Sequence, residues 1–251
     1  MSHKVIGLMA IGLQMLLFTG CAVVGSSKVD PSTIYTTYKA QYDARLRELS
    51  YSASFQVGEG FATEVMLDGG SDVRIDGASM SIETSILNQI SYTSTYRNVN
   101  SEELNKTHTF VFTNTRCQES TCSGTGETFQ NTFRLPSAIA LAKIKTQTPS
   151  RATALTLTWA TADTIRTRES VYAELSRNTS EASSSRTAYA SHPSGSSGNV
   201  TFSTEDLVSF GPGPAELRVC HEYYSSSIQA PAAGGSLRLL YCSEAIDINI
   251  D

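Results

Sequence analysis

The stretch Val65-Met-Leu-Asp-Gly-Gly-Ser-Asp-Val-Arg-Ile75 predicts the class of the fold. Val65 and Leu67 lie two residues apart, a glycine-rich segment follows, and Val73 and Ile75 are again two residues apart. Successive side chains of a strand point to opposite faces, and glycine permits the positive φ of a tight turn. The stretch therefore predicts a β-hairpin with one buried face.

The same period of two recurs along most of the chain, with turn residues every ten or so positions. It occurs at Met80 and Ile82, Phe110 and Phe112, Phe129 and Phe133, Leu155 to Trp159, Val171 to Leu175, Val200 and Phe202, Leu217 to Ser225, and Leu237 to Ile250. Many short strands of this kind predict an all-β fold of two tandem β-sandwiches. The polar segment Thr146–Arg151, which contains Pro149, is the expected boundary, so the domains are predicted to cover residues 50–148 and 149–251.

A different spacing precedes the first predicted strand. Tyr35, Tyr38, Tyr42, Leu46 and Leu49 are three or four residues apart, which predicts a short amphipathic helix over residues 34–49. This helix either packs on its own domain or docks on a partner. In the second interpretation Tyr35, Tyr38 and Tyr42 form the contact surface, because tyrosine suits amphipathic contacts.

The second half resembles the immunoglobulin-like and fibronectin type III-like modules of bacterial surface proteins. The resemblance rests on Leu155-Thr-Leu-Thr-Trp159, on Gly198-Asn-Val-Thr-Phe202, and on the loop and strand between Asp206 and Val219. It covers about 100 residues, and its motifs are of low specificity because many sandwiches share them. The resemblance implies an immunoglobulin-like second sandwich.

The first twenty residues have the pattern of an export signal. A basic start at Lys4 is followed by an apolar run over residues 5–18 that is too short for a transmembrane helix. The end of the run, Leu17-Phe-Thr-Gly-Cys21, resembles the type II signal peptide of bacterial lipoproteins. That resemblance implies a signal peptide over residues 1–20, lipid attachment at Cys21, and a polar tether over residues 21–33. Because Ala22 is not the aspartate that retains lipoproteins at the inner membrane, it also implies the outer membrane. The alternative is an ordinary cleaved signal with Cys21 merely nearby.

The remaining cysteines form a set of four, Cys117, Cys122, Cys220 and Cys242. Four cysteines allow three pairings, and an exported chain can keep disulfides. Proximity in the sequence favours Cys117–Cys122 and Cys220–Cys242, one in each half. In the second pair, the alternation places Cys220 on the face opposite to Leu217 and Val219, whereas it places Cys242 on the same face as Leu240. Since the apolar residues are expected to share one face, we expect a bulge in one strand.

Catalytic chemistry is not predicted. His108, His192 and His221 accompany no nucleophile motif, and no phosphate loop or zinc-binding helix is present. Asp68, Asp72 and Asp76 lack calcium-loop spacing, and adjacent Glu102 and Glu103 do not define a glycosidase pair. A net charge of −5 without a basic stripe argues against nucleic acid as a partner.

The sequence therefore predicts an envelope lipoprotein that is a non-catalytic structural or interaction module, with no metal or cofactor. It is expected to contact the membrane through its lipid and to bind an envelope protein. The alternatives are a carbohydrate- or small-ligand-binding lipoprotein and, third, a lipoprotein enzyme with a site built from loops.

Overall fold

The computed structural model describes residues 22–58, 63–85, 89–115, 126–141, 149–178, 183–190 and 195–251. Its strands are β1 Ala22–Gly25, β2 Tyr35–Asp43, β3 Glu48–Val57, β4 Thr63–Met66, β5 Asp72–Ile75, β6 Ala78–Ser79, β7 Ser81–Thr84, β8 Ile90–Arg97, β9 His108–Asn114, β10 Glu127–Phe133, β11 Ile139–Leu141, β12 Leu155–Ile165, β13 Glu169–Asn178, β14 Ser183–Tyr189, β15 Gly195–Phe202, β16 Gly213–Ser225, β17 Gly235–Cys242 and β18 Ile246–Ile250. The helices are α1 Ser101–Leu104 and α2 Thr204–Phe210, with 3₁₀ turns at Ser26–Lys28 and Pro31–Thr33. The prediction of an all-β fold is confirmed.

One long sheet runs through both halves of the described chain. Its strand order is β1-β4-β3-β2-β17-β16-β13-β14, with β8 and β7 beside β3, and β18 beside β16. Two of its pairings are parallel, β1 with β4 and β2 with β17, and the others are antiparallel. The first and last thirds of the sequence are therefore hydrogen-bonded neighbours.

Two smaller sheets pack on one face of the long sheet. The first has the order β10-β9-β5-β6, and its Phe110 stacks on Tyr38 of β2 with ring centroids 4.8 Å apart. The second has the order β11-β12-β15, and its Trp159 is packed with Leu217 and Val219 of β16. These two layers give two sandwich cores that share a sheet.

The two cores meet at β17. Leu237 and Leu239 belong to the first core, although they come from the end of the chain, and they lie opposite Tyr38 and Ala40 of β2. The second core is drawn from Ile139 and the residues that follow it. The domain boundary between residues 148 and 149 stays a prediction, but the sheet itself is continuous across the two halves.

The predicted helix over residues 34–49 is wrong. This segment forms β2, a turn, and the start of β3, paired from Tyr35 opposite Gln56 to Asp43 opposite Glu48. The Asp43 carboxylate accepts hydrogen bonds from the backbone amides of Arg45 and Leu46, which fixes the turn. Leu46, counted as part of the helical stripe, is an exposed turn residue. Aromatic and β-branched residues favour strands, and Tyr38, Ala40 and Tyr42 also satisfy a period of two.

The predicted polar tether over residues 21–33 is also wrong for the residues that the structure describes. Ala22–Gly25 is strand β1, and Ser26 is buried. Further along, the amide of Ala233 donates to the carbonyl of Ser32 at 2.8 Å. The segment is therefore attached to the body of the protein along its length.

Candidate functional site

The tyrosine surface predicted for partner binding does not form. Tyr38 is fully buried, and Tyr42 is 6% exposed beside Tyr241, with ring centroids 5.1 Å apart. Burial raises the pKa of both hydroxyls above the usual value. Tyr35 lies on the opposite face of β2 and is half-buried. Tyr38 and Tyr42 are core residues, and only Tyr35 is left as a contact residue.

His108 is buried at the start of β9 and belongs to a polar cluster in the first core. Its Nδ1 lies 2.8 Å from Oδ2 of Asp76 and 2.9 Å from the hydroxyl of Tyr51. Asp76 also accepts a hydrogen bond from the amide of Thr109 at 2.7 Å. Nε2 of His108 is buried without a hydrogen-bond partner, and its ring packs near Phe133. The imidazole has no access to a substrate in solution.

His221 connects the two halves of the chain. Its Nδ1 lies 3.1 Å from the carbonyl oxygen of Ser137, in the segment that links the first core to the second. Its Nε2 lies 3.4 Å from Oε2 of Glu169. His221 is therefore a buried histidine with a structural hydrogen bond. His192 lies outside the described residues.

The acidic residues considered at the sequence level do not converge. Asp68 binds Ser26 and Ser27, Asp72 accepts from Arg74 and Ser79, and Asp76 pairs with His108. Glu102 and Glu103 lie in the first turn of α1, where Glu103 pairs with Lys106. Among the described residues, no group of three or more His, Cys, Asp or Glu side chains is arranged to hold a metal ion.

The disulfide Cys220–Cys242 is confirmed. The two residues are directly opposite each other on β16 and β17, and their sulfurs are bonded. The expected bulge is not present in this pairing. Leu240 faces the outer side of the sheet together with both cysteines and Tyr172, in a small apolar cluster. Cys21, Cys117 and Cys122 lie outside the described residues.

A cleft of about 460 Å³ lies at the junction of the two cores. Tyr223, Leu237 and Leu239 of the long sheet form its floor. One wall is the end of β10 with the segment that follows it, and the other is the turn between β12 and β13. The lining residues are Asn131, Thr132, Phe133, Arg134, Leu135, Pro136, Ser137, Asp163, Thr164, Arg166, Glu169, Tyr223, Ser225, Ser227, Ile228, Leu237 and Leu239.

The polar groups of this cleft are partly organised by internal contacts. Asp163 accepts a hydrogen bond from the hydroxyl of Ser137 at 2.5 Å, and Glu169 accepts one from the amide of Arg166 at 2.7 Å. Arg134 donates from Nε to Thr107 at 3.0 Å. Two basic and two acidic side chains above an apolar floor suit a small polar ligand that has no large net charge.

The sequence did not reveal this cleft because its floor and walls come from β10, β12, β16 and β17, which are far apart in the chain. The only local indication was Leu135-Pro136, which interrupts the strands at that point.

No protein-family model and no curated protein matches this chain. A solved structure that is similar to it in part is the tetra-tandem repeat in the extending region of a large adhesion protein. The sequence identity is 11%, the match covers 86% of this chain and 49% of that one, and the TM-score is 0.27. This chain thus spans about half the length of the adhesion-protein structure.

Proposed function

We propose that this protein is a lipoprotein of the outer membrane that acts as a non-catalytic structural or interaction module of the cell envelope. The lipid would be attached at Cys21, and the partner would be another envelope protein. Within the described residues, no helix has the length and apolar character needed to cross a bilayer.

The observation that supports this role is the bracing between the two halves. The long sheet is continuous through the β2–β17 pairing. On its outer face Arg218 donates to Asp43 at 3.0 Å and to Glu174 at 2.6 Å, so one guanidinium joins strands of both halves. On the inner face, His221 contacts the linking segment at Ser137. A rigid body of this kind would hold surface loops in fixed positions, as binding scaffolds do.

The test uses the full chain in its native cell. Labelled fatty acid should mark the wild type and not Cys21→Ala, and crosslinking followed by pull-down should recover a partner from the envelope with the wild type. Equal labelling of the two proteins would contradict the lipid anchor. Recovery of no crosslinked partner at native expression would contradict the interaction module.

The cleft favours a second candidate, which is binding of a carbohydrate or another small polar ligand. The half-buried ring of Tyr223 could contact the apolar face of a sugar, while Arg166 and Asp163 could bind its hydroxyl groups. Titration with N-acetylglucosamine oligosaccharides, followed by calorimetry, tests this function. Arg166→Ala should abolish any heat of binding, whereas Arg97→Ala, remote from the cleft, should not. No heat with the wild type would exclude these sugars.

A further inference from the structure

Strand β1 begins directly after the proposed lipid-bearing residue. Ala22 is paired with Thr63, and the parallel register continues to Gly25 opposite Met66. One residue spans at most about 3.5 Å. A lipid on Cys21 would therefore lie next to the edge of the long sheet and would not be separated from it by a flexible segment.

The segment after β1 is held by the carboxylate of Asp68, an arrangement that we name the Asp68 clamp. Oδ1 accepts hydrogen bonds from the amide of Ser27 at 2.6 Å and from the hydroxyl of Ser26 at 3.1 Å. Oδ2 accepts from the hydroxyl of Ser27 at 3.0 Å, and the amide of Asp68 donates to Ser26 at 2.9 Å. Partial burial opposes ionisation, but these hydrogen bonds outweigh it and hold the pKa of Asp68 below its usual value.

Gly25 makes this close approach possible. A Cβ atom at this position would lie 2.2 Å from Oδ2 of Asp68, which is inside any allowed contact distance. The absence of a side chain at Gly25 thus lets the carboxylate reach the backbone of the next turn. The clamp therefore depends on the identity of two residues, the glycine at Gly25 and the carboxylate of Asp68.

The outer face of the sheet at this edge carries apolar side chains. Val23, Glu64, Gln56 and Tyr35 are opposite one another across four strands, and Met66 is on the same face because it lies opposite Gly25. Val23 is 44% exposed and Met66 is 39% exposed, while Glu64 between them is 4% exposed and accepts a hydrogen bond from Gln56. Tyr35 adds an amphipathic ring, a type of side chain that suits the membrane interface.

We propose that this edge of the outer face, carrying Val23, Met66 and Tyr35, rests on the lipid surface of the membrane, and that the Asp68 clamp fixes this orientation. The proposal rests on the proposed lipid anchor at Cys21. We choose the membrane as the partner of this face because acyl chains on Cys21 that insert into the bilayer would bring the residues after Cys21 to the bilayer surface. Strand β14 is seven strand spacings away, or roughly 34 Å, at the other edge of the sheet.

The lipidated protein, reconstituted in vesicles of phosphatidylethanolamine and phosphatidylglycerol with brominated acyl chains, provides the test. Met66→Trp places a fluorophore on the proposed contact face, and Tyr189→Trp, on exposed β14, is the matched control. Trp159 is buried in the second core and gives a constant background. We expect bromine to cause a loss of emission from Met66→Trp and no loss from Tyr189→Trp.

Asp68→Asn in the Met66→Trp background should abolish most of this quenching while fatty-acid labelling persists. Asp72→Asn, whose contacts lie outside the clamp, should leave the quenching unchanged. Ser27→Ala provides a milder second variant if Asp68→Asn alters the melting temperature.

Three results would overturn the inference. A labelled protein without quenching at Met66→Trp would reject the membrane contact and leave the lipid anchor intact. Crosslinking of two copies through β1, again without quenching, would assign this edge to self-association. A protein that takes up no fatty acid would contradict both the anchor and the orientation derived from it.

Discussion

Leu237 lies directly opposite Tyr38 in the parallel pairing of β17 with β2. Both side chains are buried in the first core, so a strand from the end of the chain completes a layer that begins near its start. The two cores are joined by the backbone hydrogen bonds of the continuous sheet and by Tyr241, which packs against both. Their stabilities should depend on each other.

We expect the full chain to unfold in a single transition. Leu239→Ala should lower the free energy of unfolding by roughly 2–5 kcal/mol, because it leaves a cavity where the cores meet. Leu46→Ala, at an exposed turn residue, is the control and should change little. Denaturant unfolding followed by circular dichroism and by Trp159 emission should give coincident curves. Two separated transitions would show that the halves are independent.

The disulfide should contribute measurably to stability. Replacing Cys220 and Cys242 together by alanine frees the loop between them in the unfolded chain. In the chain-entropy description this should lower the free energy of unfolding by roughly 3 kcal/mol. Unfolding with and without reductant, compared with the double variant, measures this contribution. Peptide mapping without reductant gives the pairing directly, and a Cys117–Cys220 link would contradict the structure.

The tyrosines of β2 should differ sharply from one another. Tyr38→Ser removes a buried ring that stacks on Phe110. It should lower the free energy of unfolding by about 3–5 kcal/mol, as truncation of a buried aromatic side chain usually does. Tyr35→Ser, on the opposite face, should cost much less. Thermal melting of the two single variants distinguishes them, and similar losses of stability would contradict the assigned faces of β2.

Gly198 should tolerate no side chain. A Cβ atom there would lie 2.7 Å from Cζ2 of Trp159, so Gly198→Ala should strain the second core and cost roughly 1–3 kcal/mol. Ser197→Ala, at the neighbouring exposed position, is the matched control. Since Trp159 is the single tryptophan of the chain, its emission should shift in the first variant and not in the second.

Alkaline pH should destabilise the outer apolar cluster. Burial raises the pKa of Tyr172 from 10.0 to about 12, so the neutral hydroxyl is favoured in the folded state. The neutral Tyr172 hydroxyl therefore contributes fully to the free energy of unfolding below pH 10.0, and this contribution is lost as the pH rises through about 12. Tyr172→Phe should flatten this alkaline decline in the free energy of unfolding, while Tyr224→Phe, at an exposed ring, should leave it in place. Equal slopes for wild type and Tyr172→Phe would contradict this.

Alternation in the sequence identified the strands well where one face is apolar and the other polar. Leu155 to Trp159 and Val171 to Leu175 form strands with the expected faces buried, and Val65, Val73 and Ile75 are buried strand residues. The predicted hairpin over Val65–Ile75 is wrong, because β4 pairs with β1 and β3 of the long sheet whereas β5 pairs with β6 and β9 of a smaller sheet. The pairing of Cys220 with Cys242 could also be predicted from the sequence, since the two residues are nearly equidistant from the connection between their strands. The bulge was expected because Leu240 was assumed to face the core, whereas it shares the outer face with the cysteines.

Other features depended on tertiary structure. Tyr38 and Tyr42 satisfy helical and strand periods equally, and the decisive contact is the turn that Asp43 fixes. The Ser-rich region from Asn178 to Asn199 lacks a clear alternation of apolar residues, yet Ser183–Tyr189 and Gly195–Phe202 are strands. Small polar residues pair as strands there because their neighbours supply the hydrogen-bonding edge. The cleft and the Asp68 clamp each require residues that only the fold brings together.

The parallel pairing of β2 with β17 also has a consequence for biogenesis. In the export that we propose, the chain would cross the membrane from its N-terminus, and β2 would be delivered long before β17. The first core cannot close until the last strands arrive, and its aromatic side chains stay uncovered in the meantime. Contacts between such distant parts of a sequence also slow folding. Translocation of the whole chain would therefore precede completion of the fold, and between these two events the protein would be most open to chaperones and proteases of the envelope.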